Sequence, residues 1–178
     1  MKKTNTSFIK IESTVDDALN KRYSLKKTWA KNEEAIKKFV VIMHNPNVAN
    51  EIKGDKSSNL CLNKAVDEGC NEIITVNLYA TRGPKSAQLS QLHKIVEYQN
   101  LESIKEALDG SEKLLLAWGD NPGPMVRDYQ FIRLLSSYEG EIKCFRINIS
   151  GEPCHASLCG EETPLQDFNI IEYFNRHN

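Results

Sequence analysis

Apolar and polar positions fall into blocks along this chain, and the blocks differ in period. Residues 39–43, Phe-Val-Val-Ile-Met, are five apolar residues without a break, and the polar turn His44-Asn45-Pro46-Asn47 stops them. A short apolar run that ends at a turn signal predicts a strand buried on both faces. Proline strengthens the stop, because it lacks an N–H and holds the preceding residue out of the α region. Residues 72–79, 113–118 and 142–147 repeat the pattern, the first rich in β-branched residues. Between these runs the period lengthens. Leu60, Cys61, Lys64, Ala65 and Glu68 suit one face of a helix over 58–68, capped by Ser57 or Ser58 and ended by Gly69. Leu101, Ile104, Lys105 and Leu108 predict a helix over 98–109, and Met125, Tyr129, Ile132 and Leu135 predict another over 124–137. Two noisier period-two segments, 6–12 and 22–29, read as short N-terminal strands, and 85–97 as loop with a short helix. Residues 165–175 suit a strand or a helix equally.

Strands alternating with helices give a βαβαβαβ order. Right-handed crossovers then place helices on both faces of a mostly parallel sheet. The expected fold is a single α/β domain over residues 1–178. It has three layers, α/β/α, around a central four-stranded sheet, with the short strands of 1–38 packed on it as an extension.

Composition changes this picture little. The 178 residues are 40% hydrophobic and 26% charged, as in an ordinary globular domain. No apolar run reaches the 18 residues of a membrane span, and no apolar core of signal-peptide length follows the basic N-terminus. A cytoplasmic location with reduced thiols is the expectation. The net charge of −1 hides an asymmetry: residues 1–38 hold ten Lys/Arg against five Asp/Glu, and residues 139–178 hold three against seven. A solvated surface accounts for that. The functional reading is a basic edge that faces phosphate. The near-neutral total counts against nucleic acid as the main partner.

In parallel α/β sheets, ligands bind outside the carboxyl ends of the strands. The residues that follow each predicted strand are therefore the candidates: His44, Asn45 and Asn47, then Asn77, Tyr79 and Arg82, then Trp118 and Gly119, then His155. Asn45 and Asn77 can donate and accept at once, which suits a base edge, although an amide before proline also holds its own turn together. Asn77, inside an otherwise apolar strand, must find a partner. Tyr79 and Trp118 can stack on a base or pack in the core. Arg82, in a Thr-Arg-Gly turn, can grip phosphate or sit in solvent. Asp55 can orient a water or a ribose hydroxyl, or cap the helix after it. Arg127 reaches the same edge or forms a surface ion pair. Together these residues point to a nucleobase or nucleotide-like small molecule as the partner.

Cys154-His155-Ala-Ser-Leu-Cys159 has a zinc-type spacing, but no second pair completes four ligands, so free thiols and no metal are expected. Gly-x-x-x-x-Gly-Lys-Ser/Thr and Gly-x-Gly-x-x-Gly are both absent, which excludes the common nucleoside triphosphate and dinucleotide fingerprints. No cofactor is called for.

Five blocks carry a resemblance: Arg22-Tyr-Ser-Leu-Lys-Lys-Thr-Trp29, Met43-His-Asn-Pro-Asn-Val-Ala-Asn50, Asn77-Leu-Tyr-Ala-Thr-Arg82, Ala117-Trp-Gly119 and Gly151-Glu-Pro-Cys-His-Ala-Ser157. In that order they resemble an uncharacterised bacterial and phage family, a domain of unknown function. The chain departs from that family's pattern at His44, Asn47, Asn50 and Ala156. The order is also similar to the uracil-DNA glycosylase superfold, which has an Asn-Pro or Asp-Pro turn after its first parallel strand and a late His-Pro-Ser loop. That similarity implies a hydrolase acting on an N-glycosidic bond. Asn45 would position water, His155 would stabilise the leaving base, and Asn77 would read the base edge. The alternative is a non-catalytic binder, a sponge for a nucleotide-derived signal in phage anti-defence.

Overall fold

The computed structural model describes residues 3–31, 34–47, 51–83 and 97–177. In chain order the elements are β1 (Lys10–Asp16), β2 (Lys21–Thr28), β3 (Lys38–Met43), α1 (Lys56–Asp67), β4 (Glu72–Asn77), α2 (Tyr98–Leu108), β5 (Lys113–Leu116), α3 (Tyr129–Ser136), β6 (Glu141–Cys144), β7 (Gln166–Asp167) and α4 (Ile170–His177). Short 3-10 turns at Pro124–Arg127 and Ala156–Leu158 complete them.

One sheet runs through the molecule in the order β1-β2-β4-β3-β5-β6-β7. The neighbours β4–β3, β3–β5 and β5–β6 pair in parallel, whereas β1–β2, β2–β4 and β6–β7 are antiparallel. The expected four-stranded, mostly parallel sheet is thus corrected to a mixed sheet of seven strands. The two N-terminal strands do not pack on the sheet as an extension; they hydrogen-bond into it beside β4. Residues 165–175, legible as strand or helix, are both in succession: two residues of β7 and then α4. The expected loop and short helix over 85–97 fall almost wholly outside the described residues.

Alternate side chains of the parallel strands point to opposite faces. Val40, Ile42, Val76, Leu114 and Leu116 pack with α2, α3 and α4. Phe39, Val41, Met43, Ile73 and Leu115 pack with α1 and the segment 154–159. Both faces of the sheet are therefore covered, which explains why β3 reads as an unbroken apolar run.

Two helices start elsewhere than the pattern predicts, both because an aspartate caps them. The Asp55 side chain accepts from Ser58 N at 2.7 Å, so α1 begins at Lys56, and neither Ser57 nor Ser58 is the cap. The expected helix over 124–137 is broken at Asp128. That residue is extended, and its carboxylate accepts from Gln130 N and Phe131 N at 2.9 and 3.1 Å. The restart shifts the helix phase. Phe131 and Leu135 are buried, while Tyr129, expected on the inner face, is 73% exposed.

Candidate functional site

β3 is the first parallel strand, and the chain continues to β4 on one side of it and β5 on the other. At such a switch point the loops leaving neighbouring strands part and open a crevice at their carboxyl ends. His44–Asn47 leave β3 there. Tyr79 N donates to His44 O, and Ala117 N donates to Ile42 O, so the β4 and β5 backbones flank this turn.

Within the crevice the polar side chains interlock. His44 Nδ1 lies 3.2 Å from Asn45 Oδ1, and Asn45 Nδ2 donates to Pro46 O at 3.3 Å. Asn47 Nδ2 donates to Asp55 Oδ2 at 2.7 Å. From the far side comes the loop after β6. Gly119, at φ 79°, donates its N–H to Pro153 O at 2.9 Å, and a Cβ added there would lie 2.9 Å from the Cβ of His155. Only glycine gives both this conformation and this close approach. The absence of a side chain at Gly119 is what lets His155 close on the end of β5.

His155 caps the 3-10 turn. Ser157 N donates to its Nδ1 at 3.1 Å, and Ser157 Oγ lies 2.8 Å from the same nitrogen. With Nδ1 acting as acceptor, the neutral ring carries its proton on Nε2. Burial pushes the His155 pKa down, and the nearby His44 pushes it further, against the pull of Asp55. Burial likewise lowers His44. Burial acts to raise the Asp55 carboxyl, but hydrogen bonds from Asn47 and Ser58 and the proximity of His155 hold it below its ordinary value. His155 thus feels both His44 and Asp55.

The lowered histidines set a pH dependence. The unfolded chain, with histidine values near 6.5, binds more protons than the folded one once the pH drops below about 6.5. The stability is fully present above that pH and is lost as the pH falls through the folded values. Thermal denaturation followed from pH 7.5 to pH 5 should show a falling midpoint, with a shallower fall in His155→Gln. A flat midpoint over that range would contradict the burial of both rings.

Asn77 ends β4. It shares the face of Ile73 and of its register partner Met43, the face that α1 covers. It is 2% exposed, and among the described residues its buried Oδ1 has no hydrogen-bond partner. Asn100 of α2 donates from Nδ2 to the carbonyls of Asn77 and Leu78 at 2.8 and 2.9 Å and so holds the end of this strand; its own Oδ1 is likewise buried and unpaired.

Three expected site residues are not brought to the crevice as contacts for a ligand. Tyr79 is fully buried. Its hydroxyl donates to Pro122 O at 2.9 Å and accepts from Met125 N at 3.3 Å, and burial pushes its pKa up to about 12. Its ring meets the His44 ring in a T-shaped contact, with centroids 5.6 Å apart. Trp118 is 1% exposed and packs on Phe131 and Tyr173, so it is a core residue and no platform for a base. Arg127 is exposed at the end of its 3-10 turn, and its charge acts on Tyr173 rather than on the His44–Asp55–His155 group. The physical reason is common to the first two: α2, α3 and α4 cover the face on which these rings lie.

Arg82 is half-buried. It pairs with Asp17 at 3.2 Å, and its N–H donates to Asn20 O. Beside it stands Arg22, a residue that sequence reasoning did not select. Arg22 is 8% exposed, and burial together with the neighbouring Arg82 pushes its guanidinium down from its usual value, opposed by Glu51 and Asp55. A β-bulge aims it. Ser24 pairs with Thr14 and Arg22 with Val15, so Tyr23 has no opposite residue and the alternation of faces slips by one. Lys27, which pairs with Ile73 on the α1 face, feels both Arg22 and Asp55. The only signal in the sequence was the disturbed period-two pattern of 22–29.

The turn after β3 and the loop after β6 thus bring His44, Asn45, Asn47, Asp55 and His155 together, Arg22 and its neighbour Arg82 stand on the β2 side, and the Asn77 amide is buried at the end of β4. Two grooves, each about 630 Å³, lie at the amino ends of β5 and β6, lined by residues such as Asp109–Ser111 and Gly140–Lys143. Among the described residues, neither is lined by a buried polar atom without a partner. Among the described residues there is also no group of three or more His, Cys, Asp or Glu side chains able to hold a metal, and no helix long and apolar enough to cross a membrane. No curated protein and no solved structure matches the chain. A family model described as "Protein of unknown function (DUF1643)" matches residues 22–156, from Arg22 on β2 to the 3-10 turn behind His155, and the chain belongs to that family.

Proposed function

We propose that the protein recognises a nucleobase or nucleotide in the crevice at the carboxyl ends of β3, β4 and β5. The observation that carries this reading is Asn77 Oδ1, buried at the end of β4 and unpaired among the described residues. Such an acceptor costs about 1–3 kcal/mol while it lacks a donor, and the N–H groups along a base edge are donors of the right kind. Arg22 and Arg82 stand on the β2 side of the same edge, where they suit a phosphate. The finer reading, similar to the uracil-DNA glycosylases, makes the protein an N-glycosidic hydrolase. Asn45 positions the attacking water, and the neutral His155 donates Nε2–H to the leaving base.

A second reading has its own support. The Asn45 amide is engaged within its own turn, with His44 and Pro46 O. This favours a binder that holds its ligand without turnover.

Calorimetric titration with free bases, nucleosides and nucleoside monophosphates tests both. Binding of at least one class is expected, and Arg82→Ala should weaken monophosphates while sparing free bases. Absence of binding across the panel at millimolar concentration would overturn the proposal. Released base that disappears in Asn45→Ala identifies the hydrolase; ligand recovered intact after denaturation identifies the binder.

A further inference from the structure

The two cysteines that flank His155 are placed for chemistry of their own. Cys154 and Cys159 bracket the 3-10 turn Ala156–Leu158, and both are buried. Their sulfurs are 3.7 Å apart, and each thiol lies 3.7 Å from the carbonyl oxygen of His155. The turn holds them there, since Cys159 N donates to Ala156 O at 3.1 Å and Cys154 N donates to Arg146 O at 2.9 Å. The exposed Arg146 lays Nε on Cys154 Sγ at 3.2 Å.

We propose that Cys154 and Cys159 are a reversible dithiol–disulfide pair, oxidised by hydroperoxides, and that the bond locks the turn that carries His155. This inference does not depend on what the crevice binds. The sulfurs need to approach by about 1.7 Å to reach the bonding distance of about 2.05 Å. Rotation of two side chains on one short turn supplies most of that.

The two thiols have different surroundings. The Arg146 guanidinium lies on Cys154 Sγ, and the Cys159 thiol donates to the same sulfur, which marks Cys154 as the attacking sulfur. Cys159 is pushed up to about 11, by burial first and then by Cys154, so it remains the protonated partner. The Cys154 thiolate attacks one peroxide oxygen and the O–O bond breaks. With hydrogen peroxide, hydroxide leaves and takes up the proton lost by Cys154, giving water and a Cys154 sulfenic acid. Cys159 sulfur then attacks the sulfenic sulfur. The S–O bond breaks, and the hydroxyl group leaves with the Cys159 proton as a second water. Two thiols are oxidised by two electrons, one peroxide is reduced to two waters, and a dithiol reductant reverses the change. Cys61, fully buried and pushed up to about 12 by that burial, is a poor competitor.

Tryptic digestion isolates the pair. Residues 147–176 form one peptide that contains Cys154 and Cys159 and no other cysteine. Full-length protein treated with hydrogen peroxide, then alkylated under denaturing conditions, should yield this peptide two hydrogens lighter and without alkyl groups. Dithiothreitol before alkylation should restore both groups. In Cys159→Ser the light peptide should vanish, and dimedone should trap Cys154 sulfenic acid. The His155 side-chain NMR resonance should move on oxidation in the wild type and stay in place in Cys159→Ser. A peptide that keeps both alkyl groups, sulfinic acid without the two-hydrogen loss, or a Cys154–Cys61 bond would overturn the assignment of the pair. An unmoved His155 resonance in the oxidised wild type would overturn its coupling to the turn.

Discussion

Glu152→Ala should destabilise the fold by roughly 2–6 kcal/mol, because it orphans two buried donors at about 1–3 kcal/mol each. Glu152 is 5% exposed, and its Oε2 accepts from Trp118 Nε1 at 2.8 Å and from the Tyr173 hydroxyl at 2.7 Å. One carboxylate thus ties the end of β5 to α4. Burial, reinforced by the adjacent carboxylate, pushes the Tyr173 phenol far up, so it remains a donor throughout the physiological range. A domain of this size loses about 2–4 °C of midpoint per kcal/mol, so the alanine variant should melt roughly 5–20 °C lower. Glu152→Gln keeps an acceptor oxygen for both donors and should recover most of the loss. Circular-dichroism melts of the three proteins decide the matter. An alanine variant as stable as the glutamine variant would mean that the clamp contributes nothing.

Asn77→Leu should move stability and binding in opposite directions. Its Oδ1 has already lost water and gained no partner in the free protein, so the folded chain carries that cost. Leucine has nearly the same shape and removes the cost, and the face beside it already holds Met43 and Ile73. The variant should be more stable by about 1 kcal/mol, at the lower end of the 1–3 kcal/mol range for a buried unsatisfied group. A ligand donor that paired with Oδ1 would now face a methyl group. That loses about 1–3 kcal/mol, or roughly ten- to a hundred-fold in affinity at tenfold per 1.4 kcal/mol. Such opposition is expected where a site keeps a destabilising group for function. Denaturant melts and calorimetry on one preparation read both quantities. Should Asn77→Leu be less stable than the wild type, the amide is satisfied in the free protein and the proposed role of Asn77 falls with it.

The legible parts of this fold share a cause. β3, β4 and β5 are buried on both faces, so most of their positions are apolar and the pattern needs no knowledge of neighbours. α1 and α2 show the same self-sufficiency, each with one buried stripe. What escaped depends on partners distant in the chain. The lysine-rich β2 looks like a surface ribbon until β4 pairs with it. A glutamate in the acidic C-terminal stretch looks solvated until Trp118 and Tyr173 converge on Glu152. The candidate site divides along the same line. His44, Asn45 and Asn47 stand out because they follow a buried strand directly, Asp55 because it precedes a helix, and His155 because its loop follows the last parallel strand. Arg22 does not, because its direction is set by a register slip against β1.

That slip at Tyr23 behaves like a frameshift in a code of period two. Residues 24–28 are read in one frame and residues 21–22 in the other, although they belong to a single strand. A relative without Tyr23 keeps every other side chain of β2 on its own face, so a one-residue gap in an alignment belongs here; set elsewhere in the strand, it exchanges inside for outside between the two points. Lost in the gene, the same residue would leave Arg22 opposite Val15, with its guanidinium still on the face of Lys27. The bulge would vanish, and both cations would keep their places.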